Sequence, residues 1–128
     1  MSTVLAANPQ KLQAGDHITL VNRKFSDLDK CNFIGNTYTN IEVLEIVGDV
    51  QRCITTRRLV FDGDGMVSTD GVTKLKITID QGKLKSLEIL SYDIAVAGGT
   101  GRFVGAQGVY LTRNILPNYF LGELKLNI

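Results

Sequence analysis

The chain of 128 residues reads as an all-β protein on three observations. Val, Ile and Thr occur 11 times each, against 6 Ala and 4 Glu, and β-branched side chains suit a pleated, half-buried surface better than a helix. Polar and apolar residues alternate at the period of a strand: within Lys74–Asp80, Leu75, Ile77 and Ile79 share one face while Lys74, Lys76, Thr78 and Asp80 share the other. Thirteen glycines and only two prolines mark many tight turns. No segment carries the periodicity of a long amphipathic helix, so parallel crossovers are excluded and neighbouring strands are mainly antiparallel.

The elements follow in order. Residues 9–14 are expected to form a turn of helix. His17–Arg23 is the first strand, and Ser26-Asp27-Leu28-Asp29 is a turn within a polar stretch. Asn36–Val47 is a long strand that ends at Gly48-Asp49, with Gln51–Phe61 as its hairpin partner. Asp62-Gly63-Asp64-Gly65 turns the chain, because Asp-Gly pairs accept positive φ. Met66–Thr69 is then a short strand, Asp70-Gly71 a second turn and Lys74–Asp80 the next strand. Gln81-Gly82 leads into Leu84–Val96, and Gly98-Gly99-Thr100-Gly101 is the densest glycine cluster. Val109–Leu116 and Tyr119–Asn127 finish the chain on either side of Pro117. Eight strands over roughly 110 residues predict a closed barrel or a sandwich, and closure removes unpaired edges. The chain is expected to form a single domain spanning residues 1–128.

Charge and composition narrow the function. Fourteen Lys+Arg against thirteen Asp+Glu leave a net charge of +1, which provides no basic face for nucleic acid. No apolar run is long enough for a transmembrane helix, and the Val4–Ala7 patch lacks the basic flank and length of a signal peptide. The expectation is therefore a cytoplasmic protein without membrane or nucleic-acid partners, with Cys31 and Cys53 as free thiols. One histidine and two cysteines make no zinc set, and no cofactor motif is present. The Gly98–Gly101 cluster lacks the G-K-[ST] and helix of a phosphate loop, and Asp62–Gly65 lacks the spacing of a calcium loop.

Tyr92–Tyr110 reads Y-D-I-A-V-A-G-G-T-G-R-F-V-G-A-Q-G-V-Y: a strand, a glycine cluster, an aromatic and a strand of small residues. In this pattern Phe103 can plug the end of a barrel, while Gly105, Ala106 and Gly108 permit close strand approach or a bulge. The stretch resembles the allene oxide cyclase-like and dirigent families. The likeness extends to Ile34-Gly35-Asn36-Thr37 at the start of a long strand, to F-D-G-D-G-M-V-S-T-D-G over Phe61–Gly71, and to Asn114–Pro117 followed by Tyr119-Phe120-Leu121. It covers roughly residues 16–127 in similar order and spacing. The resemblance implies an eight-stranded antiparallel β-barrel of calycin type with a short irregular N-terminal segment, and a homo-oligomer, dimer or trimer. It further implies a cofactor-independent cyclase or isomerase of specialised metabolism, which templates ring closure of a small hydrophobic reactive molecule in a dry cavity. The alternatives are a dirigent-like protein that steers a reaction begun elsewhere and a barrel that only binds hydrophobic ligands. The plant cyclases' Y-E-I-N-E-like first strand is replaced by Asp16–Asn22, which has no glutamate, and Thr39-Asn40-Ile41 stands where they carry G-L-C. No catalytic residue is therefore carried over from them.

The candidates come instead from the residues themselves. His17 is a candidate acid or base, since an imidazole can serve as either, or else a surface residue at a strand end. Tyr92 shares one face of a regular strand with Leu84, Ser86, Glu88, Leu90, Ile94 and Val96. Inward, it is a hydroxyl in the cavity; outward, it is a surface or subunit contact. Glu42 and Glu45 fall on opposite faces of their strand, so one at most faces a given cavity, where an apolar setting would fit it for proton transfer. Arg57 and Arg58 likewise alternate, and an inward arginine binds a carboxylate or phosphate. Catalytic candidates are thus His17, Tyr92 and Glu42; substrate-binding candidates are Tyr110, Arg113, Tyr119, Cys53 and Arg57.

Overall fold

A computed structural model describes the backbone of residues 2–25, 33–116 and 119–127, and the side chains of residues 2–22, 34–90, 94–110 and 124–126. The expected Ser26–Asp29 turn, Cys31 and Pro117 lie outside the described residues. The strands are β1 (Ser2–Leu5), β2 (His17–Phe25), β3 (Phe33–Val47), β4 (Val50–Phe61), β5 (Gly65–Asp80), β6 (Lys83–Gly99), β7 (Gln107–Leu116) and β8 (Tyr119–Asn127). A single 3-10 turn, Gly101–Phe103, joins β6 to β7. Every pairing is antiparallel between consecutive strands, giving one eight-stranded sheet in the order β1 to β8.

The strand count agrees with expectation through two offsetting differences. β1 was not foreseen, and the two short strands around Asp70-Gly71 are one continuous strand. Asp70 pairs with Thr56 and Ala95, and Gly71 with Thr55 and Ile94, so ladders on both sides hold the supposed turn extended. The helical turn at residues 9–14 is also absent: Asn8 forms a turn in which its Oδ1 accepts the Gln10 N–H at 2.9 Å, since a short polar side chain competes with helix hydrogen bonds.

The barrel expectation is corrected at the edges. Among the described residues no ladder joins β8 to β1, so the sheet is not closed by hydrogen bonds. β1 is only four residues long, and the chain leaves that edge to cross one end of the sheet. Asp16 anchors this crossing: its Oδ2 accepts the Gln13 N–H at 2.7 Å, and its backbone carbonyl accepts the Val43 N–H at 2.9 Å. The crossing meets the β5–β6 turn, where the Gly82 N–H donates to the Pro9 carbonyl at 2.8 Å and the Gln81 N–H to Gln10 Oε1 at 2.9 Å. Gln81 and Gly82 both have positive φ, 51° and 74°, as a two-residue hairpin turn matched to strand twist requires.

The sheet curls so that one face of β2 to β6 is buried against itself. Leu12, Ile18, Ile41, Val43, Cys53, Leu75, Ile77 and Ile79 form an apolar cluster toward one end. Leu59, Val67, Ile94, Val96, Phe103, Ala106 and Tyr110 form a second toward the other. Fully burying a Leu, Ile or Val contributes about 1.5–3 kcal/mol, so these rows set which face turns inward. Phe103, expected to plug a barrel end, is buried and packs on Phe61 with ring centroids 5.1 Å apart, in a sheet that is not closed among the described residues. Six register shifts adjust the pattern among the described residues, each a residue skipped in a ladder: Ile34 and Leu44 in β3, Lys85, Leu90 and Ala97 in β6, and Ile115 in β7.

Candidate functional site

Cross-strand neighbours share a face. The inner row Leu20–Thr39–Arg57–Thr69–Val96 therefore runs across five strands. The next inner row is Ile18–Ile41–Thr55–Gly71–Ile94–Tyr110. Gly71 contributes no side chain to the interior. Between the two apolar clusters these rows place a belt of hydroxyl groups and one guanidinium. Thr55 and Thr73 share a buried hydrogen bond of 2.9 Å between their hydroxyls. Thr69 Oγ1 donates to the Arg57 carbonyl at 3.0 Å.

Arg57 is half-buried, and its Nε–H donates to Thr39 Oγ1 at 3.0 Å. Its guanidinium carbon lies 5.5 Å from the centre of the Tyr110 ring, a cation–π distance. The two side chains come from β4 and β7 and meet across the interior. Beside them is a cavity lined by Leu20, Asn22, Ile41, Thr55, Arg57, Leu75, Leu87 and Ile89. Its free volume is about 20 Å³, which is room for about one water. A larger guest enters only by displacing side chains.

The eight sequence candidates separate. Arg57 and Tyr110 face inward and come together, with Arg57 in the cavity wall. Arg58, its neighbour, is exposed, as strand alternation requires. His17 and Glu42 are also brought together, as direct cross-strand partners, but on the outer face. Their own strand neighbours Ile18, Ile41 and Val43 occupy the inside, and exposed Leu5 continues the outer row. Glu45 joins Glu42 on that outer face, contrary to the expected opposition. The bulge at Leu44 shifts the phase by one residue, so Glu45 pairs with Arg52 in a 3.0 Å exposed ion pair.

Cys53 is fully buried in the first apolar cluster and is not among the cavity-lining residues. Burial pushes its thiol up from 9.0 to about 12, so it stays protonated and unreactive near neutral pH. Tyr92 lies opposite inward-facing Thr73 in the register; its side chain, with those of Arg113 and Tyr119, lies outside the described residues. The single-face grouping of β6 fails: Leu84, Leu87 and Ile89 pack on the first core cluster, while Ile94 and Val96 belong to the second. Bulges at Lys85 and Leu90 change the alternation twice along the strand.

Asn22, Thr39 and Thr55 were not singled out from the sequence. Their signal was phase: each stands two residues from an inward apolar residue on its own strand, and threonine suits an inner strand face as well as an outer one. Among the described residues no helix is long and apolar enough to cross a membrane. No protein-family model matches the chain, and no curated protein matches it.

Proposed function

We propose that the inner face of the curled sheet holds a small, mostly apolar reactive molecule and templates its cyclisation or isomerisation without a cofactor. The observation behind this reading is the cavity wall, in which five aliphatic side chains surround Arg57, Asn22 and Thr55. An aliphatic wall supplies shape, and a few fixed polar groups supply orientation. Confinement of this kind accelerates an intramolecular reaction by selecting a reactive conformer. The motif likeness to the allene oxide cyclase-like family supplies the reaction class, and Arg57 with Tyr110 supplies the polar end that orients the guest. We include in the proposal a homo-oligomer, with Tyr38, Val72 and Val109 as exposed apolar residues on the outer face. A monomer in sedimentation at micromolar concentration would count against that part.

The test uses a fatty allene oxide generated in situ, which cyclises spontaneously to a racemic cyclopentenone. Added protein should speed its disappearance and enrich one enantiomer. Racemic product at an unchanged rate, with protein in excess, overturns the cyclase reading for this substrate class. A second reading, binding without catalysis, draws on the outward placement of His17 and Glu42, which leaves neither in the described cavity wall. That reading expects a bound ligand recovered chemically unchanged. Enrichment of an enantiomer at an unchanged rate would instead indicate dirigent-like steering.

A further inference from the structure

We infer that Asp62-Gly63 is a site of spontaneous covalent modification, at which aspartate converts through a succinimide to isoaspartate. The Gly63 backbone nitrogen attacks Asp62 Cγ, an N–C bond forms, and the hydroxyl of the protonated carboxyl group departs as water with the amide proton. Water then adds to one of the two imide carbonyls. Opening at Cγ restores aspartate. Opening at the former main-chain carbonyl leaves the chain running through Cγ with a free α-carboxylate; mass is unchanged and nothing is oxidised or reduced. Glycine after aspartate leaves the attacking nitrogen unshielded by a side chain, and the chain has three such pairs, Asp62-Gly63, Asp64-Gly65 and Asp70-Gly71. All three aspartates are exposed, so the backbone, not exposure, separates them. Asp70 pairs with Thr56 and Ala95, and Gly71 with Thr55 and Ile94, so attack there requires ladders on both flanks to break. The Asp64-Gly65 peptide is held at both ends: the Asp64 carbonyl accepts the Arg102 N–H at 2.8 Å, and Gly65 pairs with Phe61. By contrast, neither the Asp62 carbonyl nor the Gly63 N–H enters a hydrogen bond among the described residues, and a carbon added at Gly63 would meet nothing within 4 Å. Of the three peptides it is the one that rotates without breaking a described hydrogen bond, as exposed loop tips do. The carbon gained by the main chain falls inside the turn that the Asp64 N–H closes on the Phe61 carbonyl at 3.1 Å.

The experiment ages the full chain at neutral pH, native and in guanidinium chloride, and locates isoaspartate by electron-transfer fragmentation of its proteolytic peptides. In the native protein Asp62 should convert at least about tenfold faster than Asp64 or Asp70, since each of those must first open locally. In denaturant, where no ladder remains, the three rates should agree within about threefold. Asp62→Glu, which would need a less favoured six-membered ring, should abolish the signal at its own position and leave the denatured-state signals at Asp64 and Asp70. Native rates at Asp64 or Asp70 equal to the rate at Asp62 overturn the inference. So does the absence of isoaspartate at Asp62 in native protein aged until the denatured chain carries it at all three pairs. A preference for Asp62 that persists undiminished in denaturant also overturns it, because neighbouring residues and not the fold would then be the cause.

Discussion

Gly65 and Gly101 meet backbone to backbone. A Cβ on Gly65 would collide with the Thr100 carbonyl, and one on Gly101 with the Asp64 carbonyl. Three hydrogen bonds hold the contact: Thr100 N–H to the Met66 carbonyl at 2.8 Å, Arg102 N–H to the Asp64 carbonyl at 2.8 Å, and Met66 N–H to Thr100 Oγ1 at 3.2 Å. The β4–β5 hairpin and the glycine cluster, far apart in sequence, form one clasp beside Phe103.

Alanine at either glycine should therefore be costly, because both have positive φ, 127° and 59°, and no room. We expect a loss of about 2–4 kcal/mol for Gly101→Ala, combining left-handed strain with backbone displacement. Gly63→Ala is the control: its φ is 81°, but nothing lies within 4 Å of the added carbon, so the loss should be near 1 kcal/mol. Urea midpoints at constant slope measure both. Equal losses would show that the close approach contributes nothing.

The Thr55–Thr73 hydrogen bond is buried, so removing both partners should cost less than the two single removals added together. Thr55→Val and Thr73→Val should each lose about 1–3 kcal/mol, and the double variant less than the sum by about 1 kcal/mol. A double-mutant cycle in urea provides the number, and strict additivity would rule the coupling out.

Gln51 terminates a ladder. β5 runs beyond its last pairing with β4, Gln51 with Leu75, and the Ile77 N–H then donates to Gln51 Oε1 at 2.6 Å. Gln51→Leu keeps the volume and leaves that buried donor bare, at a cost of about 1–3 kcal/mol. Hydrogen exchange at the Ile77 amide should quicken more than at Leu75. Unchanged protection would mean that the side chain is not the partner in solution.

Cys53 ties stability to alkaline pH. Its folded value is raised to about 12 from 9.0, so between those limits the unfolded chain releases a proton that the folded chain retains. The contribution is fully present below pH 9 and is lost as pH rises toward 12, by at most about 1.4 kcal/mol per unit. Cys53→Ala should lower stability at neutral pH through the cavity it leaves, yet flatten the fall above pH 9. In a Cys31→Ser background, a thiol reagent should modify Cys53 at the rate of unfolding. Rapid labelling of the folded protein would contradict its burial.

Alternation and turn residues made much of the architecture legible. The Lys74–Asp80 pattern and the Gln81-Gly82 turn stand as read, while Phe103 is buried in a sheet that, among the described residues, hydrogen bonds do not close into the expected barrel. Arg57 and Arg58 do alternate across their strand, because β4 carries no bulge against β5. The N-terminal strand escaped because four residues carry too little periodicity, and Asp70-Gly71 misled because turn chemistry yields to ladders on both flanks.

The sequence by itself determined an antiparallel all-β chain, the turns that separate most strands, and the aliphatic rows that must be buried. Those depend on local periodicity and on burial, which composition already encodes. The tertiary structure alone decided which polar residues share the interior. One bulged residue reverses every side chain beyond it, which placed Glu45 outside beside Glu42 and switched the inner set of β6 at Lys85 and Leu90. It also decided that Arg57 of β4 and Tyr110 of β7 meet, since their contact spans the curl of the sheet and depends on the registers of all the strands between them.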